Sequence, residues 1–186
     1  RAPLYKDVRA FMAASKTPKS AGIAYSPTLL VAYGGLSGEN WFYQHMDPHD
    51  DARLLRHTPR RELDRMTWRR GLSAHDGDWN HQEVARDAAK MAREGLLVTV
   101  GGHGQMQGLG THWELWALAG PGAMTPMEAL QAGTINGARY LGLEADMGSL
   151  TPGKWADLIV LDADPRQDIT HTTQIHLVVA GGKIWR

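Results

Sequence analysis

The sequence predicts an α/β protein, and three observations carry that prediction. The first is Gly95–Glu114, GLLVTVGGHGQMQGLGTHWE, which reads as a helix-capping glycine, a short buried strand (Leu96–Val100), a glycine-rich turn and a new helix. The second is the apolar run Ile23–Tyr33. Its β-branched and aromatic residues suit a buried strand around residues 28–33, with Pro27 at its start. The third is a change of pattern after residue 146, where turns and short β-rich runs replace the helical spacing.

In chain order, Leu4, Val8, Phe11 and Met12 fall at helical spacing, which predicts a first helix over 4–15. The strand at 28–33 follows. Residues 34–80 differ in kind: they are rich in histidine, arginine and tryptophan, with Arg60–Arg70 the helical part. A connection of that length inside a compact domain is usually a functional loop or lid. From His81 the pattern turns helical, with Val84, Ala88, Met91 and Ala92 on one face and Gly95 as the cap. After the glycine turn a helix starts near Trp113 and stops at Gly120. Thr125-Pro126-Met127-Glu128 is a capping box with proline in the first helical position, opening a helix over Pro126–Leu141. Ala156–Leu161 then reads as a strand, and Ile175–Ala180, Gly181-Gly182 and Lys183–Trp185 as a hairpin.

Composition narrows the function classes. The 186 residues balance 20 basic against 20 acidic side chains, so no net charge attracts nucleic acid or an anionic membrane surface. No apolar run approaches the roughly 18 residues of a membrane span. With no cysteine, disulfides and thiolate metal sites are excluded. Neither nucleic acid nor membrane is an expected partner.

Adjacent parallel strands would put the 34–80 segment and the Gly/His turn on one face, at the strands' C-terminal ends. That geometry singles out His103. The glycines beside it let backbone approach a ligand closely and keep bulk away from the imidazole. On spacing alone a lone histidine after a strand is more often structural than catalytic or metal-binding. His112 and Glu114 add an imidazole and a carboxylate near the same turn, with helix capping by His112 an equal alternative. Asp76, Asp78 and His81 form a polar group in which Asp78 suits the N-cap of the next helix. His45 and His49 have the spacing of a helical ligand pair, but Pro48 between them favours a solvated loop. Gly102–Gly108 also matches a dinucleotide fingerprint loosely, without the βαβ context that motif needs.

Two C-terminal stretches, MTPMEALQAGTINGAR (124–139) and GSLTPGKWADLIVLD (148–162), resemble the last barrel helix of the amidohydrolase superfamily and its return into a small β-sandwich. The central VGGHGQMQGLGTHWELW (100–116) resembles an imidazolonepropionase- and prolidase-like subgroup found joined to TolB-like propellers. The resemblance implies the C-terminal portion of a (β/α)8 TIM-type barrel over 1–145, with a lid at 34–80, and the C-terminal strands of a β-sandwich over 146–186. Residues 28–33 and 96–100 would be strands seven and eight.

It also implies a hydrolase that cleaves C–N bonds of a small-molecule or peptide substrate with water activated by a divalent metal, zinc being the expected ion. A complete barrel needs about 250 residues, and the family's His-x-His after strand one has no counterpart here. The other ligands would therefore lie upstream of Arg1. Where the family places an aspartate after strand eight, this chain has His103, which becomes the catalytic and metal-ligand candidate, with Gln105 and His112 lining the substrate pocket. Half a barrel and half a sandwich would leave open faces, so the expectation is either an N-terminal part or assembly with a second copy. The rival expectation is a non-catalytic binding module that kept the fold and lost the chemistry.

Overall fold

The computed structural model describes residues 24–32, 36–68, 74–104 and 106–185. The expected helix at 4–15 and the candidate Gln105 lie outside them. At the centre are two parallel strands, β1 (Ala24–Tyr25) and β2 (Leu97–Val98), paired Ala24 to Leu97 and Tyr25 to Val98. Parallel neighbours need a crossover, and the chain between them supplies it.

The first strand lies upstream of its expected place at 28–33. Thr28 takes a left-handed backbone, with φ 45°, and Leu29–Val31 form a 3-10 turn. Pro27 therefore follows the strand instead of opening it. Leu29 and Leu30 are fully buried, so the apolar run reflects core position and not strand geometry.

The segment that reads as a long connection is largely helical. It contains α1 (Gly38–His45), α2 (Ala52–His57) and α3 (Arg60–Thr67), with 3-10 turns at Pro48–Asp50 and Asp76–Asp78. Asp51 caps α2 by accepting the N–H groups of Arg53 and Leu54, both at 2.9 Å. Phe42, Leu54, Leu63 and Trp79 are buried, so the segment belongs to the core. Next comes α4 (Asn80–Arg93), which buries Ala85, Ala88, Ala89 and Met91. Its N-cap is Trp79; Asp78 instead accepts the His75 N–H at 3.3 Å and closes the preceding turn.

Beyond β2, helix α5 spans Gly110–Leu118, beginning three residues before the expected start at Trp113. The expected single helix over 126–141 is two, α6 (Pro126–Ala132) and α7 (Ile135–Leu141). The break falls at Gly133-Thr134, where Gly133 packs so close to Leu115 that an added Cβ would sit 3.1 Å from its Cδ2. Ala129, Ala132 and Ala138 are buried on these helices, while Leu141 is exposed. The capping box is present: Glu128 N–H donates to Thr125 Oγ1 and Thr125 N–H to Glu128 Oε2.

The C-terminal module is an antiparallel sheet, β3 (Leu158–Leu161), β4 (Ile175–Ala180) and β5 (Lys183–Trp185). It rests on the helices through Ile169 and Thr172 of the 3-10 turn Ile169–Thr173, and Trp116 Nε1 donates to Thr172 Oγ1 at 2.9 Å. Arg53 of α2 donates to the carbonyls of Thr173 and Ile175. The apolar side chains of Trp155, Ile159, Ile184 and Trp185 are each more than half exposed. No helix among the described residues is long and apolar enough to cross a membrane.

Aromatic rings join the crossover to the centre. Trp113 is fully buried, stacked on Phe42 at 5.1 Å between centroids and meeting Tyr43 edge-on at 5.2 Å. Truncation of Trp113 to alanine is expected to cost about 3–5 kcal/mol. In urea denaturation this would move the midpoint down while leaving the slope unchanged.

Candidate active site

The loops leaving β1 and β2 come off the same end of the ladder. Pairing continues one residue past β2, where Thr99 N–H donates to the Tyr25 carbonyl at 2.9 Å. The chain then runs through Gly101 and Gly102 to His103. A Cβ on Gly101 would lie 2.5 Å from Thr28 Oγ1 and 2.7 Å from Ser26 Oγ, so glycine is what lets the two loops touch. His103 has φ 51° and Gly104 φ 68°. Left-handed backbone costs an L-residue roughly 1–2 kcal/mol, though histidine is among the residues enriched there. The imidazole is exposed at the strand end, the place the sequence reading assigns it. Both loops thus carry a strained non-glycine residue, Thr28 on one and His103 on the other, as functional edges often do.

Glu114 holds the arrangement from below. Its side chain is fully buried in α5, and the two carboxylate oxygens accept the N–H groups of Leu29 at 2.6 Å and Leu30 at 3.1 Å. Burial pushes its pKa up to about 7, against the pull of those two donors. The sequence reading noted this carboxylate without giving it a role. The available signal was a single acid inside the apolar run THWELWAL.

His112 is an interior residue of α5 and does not cap it, because α5 has no side-chain cap. Its Nδ1 is buried without a hydrogen-bond partner, and burial lowers its pKa while Asp51 of α2 pulls the other way. The crossover therefore reaches this helix, and Leu54 of α2 also backs on Gly108, 3.8 Å from where its Cβ would be. His49 is not a free loop residue. Its Nδ1 lies 2.7 Å from Asp47 Oδ1 and its Nε2 2.8 Å from Asp64 Oδ1, and these carboxylates raise its pKa.

A separate apolar cleft of about 270 Å³ lies between α1, α4, α5 and the Ile169–Thr173 turn, lined by Trp41, Phe42, His81, Trp116, Pro121 and Ile169. His81 is 3% exposed, its Nδ1 has no partner, and burial lowers its pKa to about 4. It is a neutral core imidazole packed among tryptophan and phenylalanine rings, not part of a polar group with Asp76 and Asp78.

Among the described residues no three histidine or acidic side chains come together to hold a metal ion. His103 offers one imidazole at the strand end, and Glu114 is occupied by backbone N–H groups. One donor does not make a site for the divalent ion that the resemblance implies.

Comparison with known proteins then defines the class. Residues 80–185 match the model of the amidohydrolase family, and the chain belongs to that family. It is 35% identical over 103 residues to a 5-methylthioadenosine/S-adenosylhomocysteine deaminase of Symbiobacterium thermophilum, covering 50% of this chain and 23% of that protein. It is 44% identical over 64 residues to an imidazolonepropionase of Geobacillus thermodenitrificans, covering 33% of this chain and 15% of that one. The chain thus spans less than a quarter of the length of these relatives. The structure of a Xaa-Pro dipeptidase shares the fold, with a TM-score of 0.56 and 22% identity over 89% of this chain and 35% of that one.

The buried imidazole has a measurable consequence. A histidine whose folded pKa is depressed from 6.5 to about 4 contributes stability above its unfolded pKa. That stability is lost as pH falls through this window. His81→Leu is expected to flatten the loss, which urea midpoints measured at steps across the window would reveal.

Proposed function

We propose that this chain is the C-terminal part of an enzyme that hydrolyses a C–N bond in an amide, a peptide or a cyclic amide, with water as the second reactant. The observation that carries the reading is the position of His103. It is the first imidazole after the second of two parallel strands, at the edge where α/β barrels place their chemistry, in a chain that belongs to the amidohydrolase family. The small share of each relative's length that is matched supports the C-terminal assignment. So do the half-exposed apolar side chains of the β module, which suit sandwich strands that have further partners. The relatives' names extend the substrate class to amino-substituted heterocycles, whose deamination is also hydrolysis of a C–N bond.

In this reading His103 acts at the reacting centre as metal ligand, general base or substrate contact. Gln105 and His112 line the pocket, and residues 34–80 cover it. A divalent ion, with zinc the expected one, belongs to the proposal for the whole protein. This chain would bring His103 as one donor, and the others would come from outside it.

One observation favours a second reading, a binding module without catalysis: His103 stands where the resemblance places an aspartate. The two part on the intact natural protein, through its mass, its metal content and its turnover of amides, dipeptides, cyclic amides and aminopurines. A longer chain with about one or two divalent ions per subunit is expected, and His103→Ala should lower kcat by about 10²–10⁴-fold. A metal-free protein without turnover on any of these, or a His103→Ala variant as active as wild type, would sink the catalytic reading.

A further inference from the structure

We propose that Glu114 is the positioning residue of the strand-end site: its carboxylate clasps the loop leaving β1 to the helix after the His103 turn, and the ionisation of that clasp regulates the site. The effect on turnover rests on the reading given under Proposed function; the clasp itself does not.

The geometry forms a closed circuit. Glu114 on α5 takes the N–H groups of Leu29 and Leu30. These follow Thr28, whose left-handed backbone and hydroxyl lie against Gly101. Gly102 then returns to α5, where a Cβ on it would sit 3.1 Å from Thr111 Oγ1. His103 is the next residue along. A shift of the Leu29–Val31 turn is thus passed toward the imidazole through Thr28 against Gly101, in a loop where neither Gly101 nor Gly102 has room for a side chain.

An ionised carboxylate accepts from both amides at once. A protonated one turns an oxygen into a hydroxyl donor that faces an N–H, so one of the two buried amides loses its acceptor. Among the described residues, titratable groups lie on the elements packed around Glu114. Tyr25 of β1 has its hydroxyl pushed up to about 12 by burial, with Asp87 and Glu114 adding to it. Asp87 of α4 is paired with Lys90 at 3.0 Å. From α1, which packs on the same turn, Glu39 accepts the Tyr43 hydroxyl at 3.2 Å. Among the described residues no cation pairs with Glu114 to hold its charge in place, and its carboxylate is met by the two backbone amides.

The same proton acts in opposite directions on the loop and on the whole fold. Because burial raises the pKa from 4.5 to about 7, the group's stability contribution is present below 4.5 and lost as pH rises through about 7. Acidification through that range loosens the clasp without weakening global folding through Glu114. A residue that merely fills the core would not produce that combination.

The test uses the intact natural protein, with hydrogen-exchange mass spectrometry on the peptide spanning residues 26–32 and steady-state kinetics, both from about pH 5 to about pH 8. In wild type the protection of Leu29 and Leu30, corrected for intrinsic exchange, is expected to fall as pH drops through about 7, and kcat to fall with it. Glu114→Gln, which offers one acceptor at every pH, should show low and pH-independent protection. Its kcat should be lowered by about 10²-fold with KM little changed. If that variant does not fold, Glu114→Asp, which keeps the charge but cannot span both amides, should lose the same protection. Wild-type protection that ignores pH, or a folded variant with wild-type protection and pH profile, would overturn the proposal. Wild type without C–N hydrolysis would instead overturn the functional reading and leave the exchange result standing.

Discussion

A carboxylate buried in an apolar helix is the constraint around which this chain is arranged. Taking Glu114 out of water costs several kcal/mol, and a lone ionised acid in such a place would simply stay protonated. Two backbone N–H groups recover part of that cost, because hydrogen bonds to a charged acceptor are the stronger kind. They also solve a problem for the other partner. The 3-10 turn after β1 presents buried amides with no carbonyl to meet, and a buried amide left unpaired costs about as much as a lost hydrogen bond. Each side of the contact satisfies what the other could not leave bare, which is why the turn, the left-handed Thr28 and the start of α5 occur together.

The crossover is built onto the same helix. Phe42 stacks on Trp113, the residue before Glu114, while Leu54 meets Gly108 in the glycine loop. Arg53 reaches the backbone of the C-terminal module, so α2 touches both the loop that carries His103 and the sheet beyond it. A segment held by stacked rings at one point and guanidinium–carbonyl bonds at another is no loose flap. Moving α2 as a unit would break contacts with the core and with the β module together.

How much of this was legible in the sequence follows from what each signal reports. The glycine loop, the capping box and the C-terminal hairpin are local, since turn chemistry and caps are decided by residues within a few positions. The parallel neighbours and the exposed strand-end His103 were legible as well, through the strand–turn–helix order. The strand at 28–33 was misplaced because fully buried leucines look alike in a strand and in a 3-10 turn. Only the long-range bonds to Glu114 distinguish them, and those connect residues about 85 positions apart. The break between α6 and α7 was hidden for a similar reason: Gly133 yields to Leu115 of another helix, a contact that helical periodicity does not encode. Glu114 stood out as an acid in an apolar run, but its partners are backbone amides, which have no signature in a sequence.

The clasp also bears on what His103 can do. Where the resemblance places an aspartate after strand eight, a single carboxylate could bind a metal with one oxygen and take a proton with the other. Glu114 cannot supply the missing carboxylate chemistry, because it is fully buried and both oxygens face backbone N–H groups. An imidazole divides the same duties differently. A neutral ring has one nitrogen lone pair and one N–H. If the lone pair goes to a metal, the remaining N–H can only donate, to substrate or to a fixed acceptor; if the lone pair takes a proton from water, the ring is no ligand. In the reading proposed above, His103 would fill one of these roles and not both. Replacing an acid by a histidine at this position does not merely change a ligand's charge. It separates binding from proton acceptance, two tasks that one carboxylate could have combined.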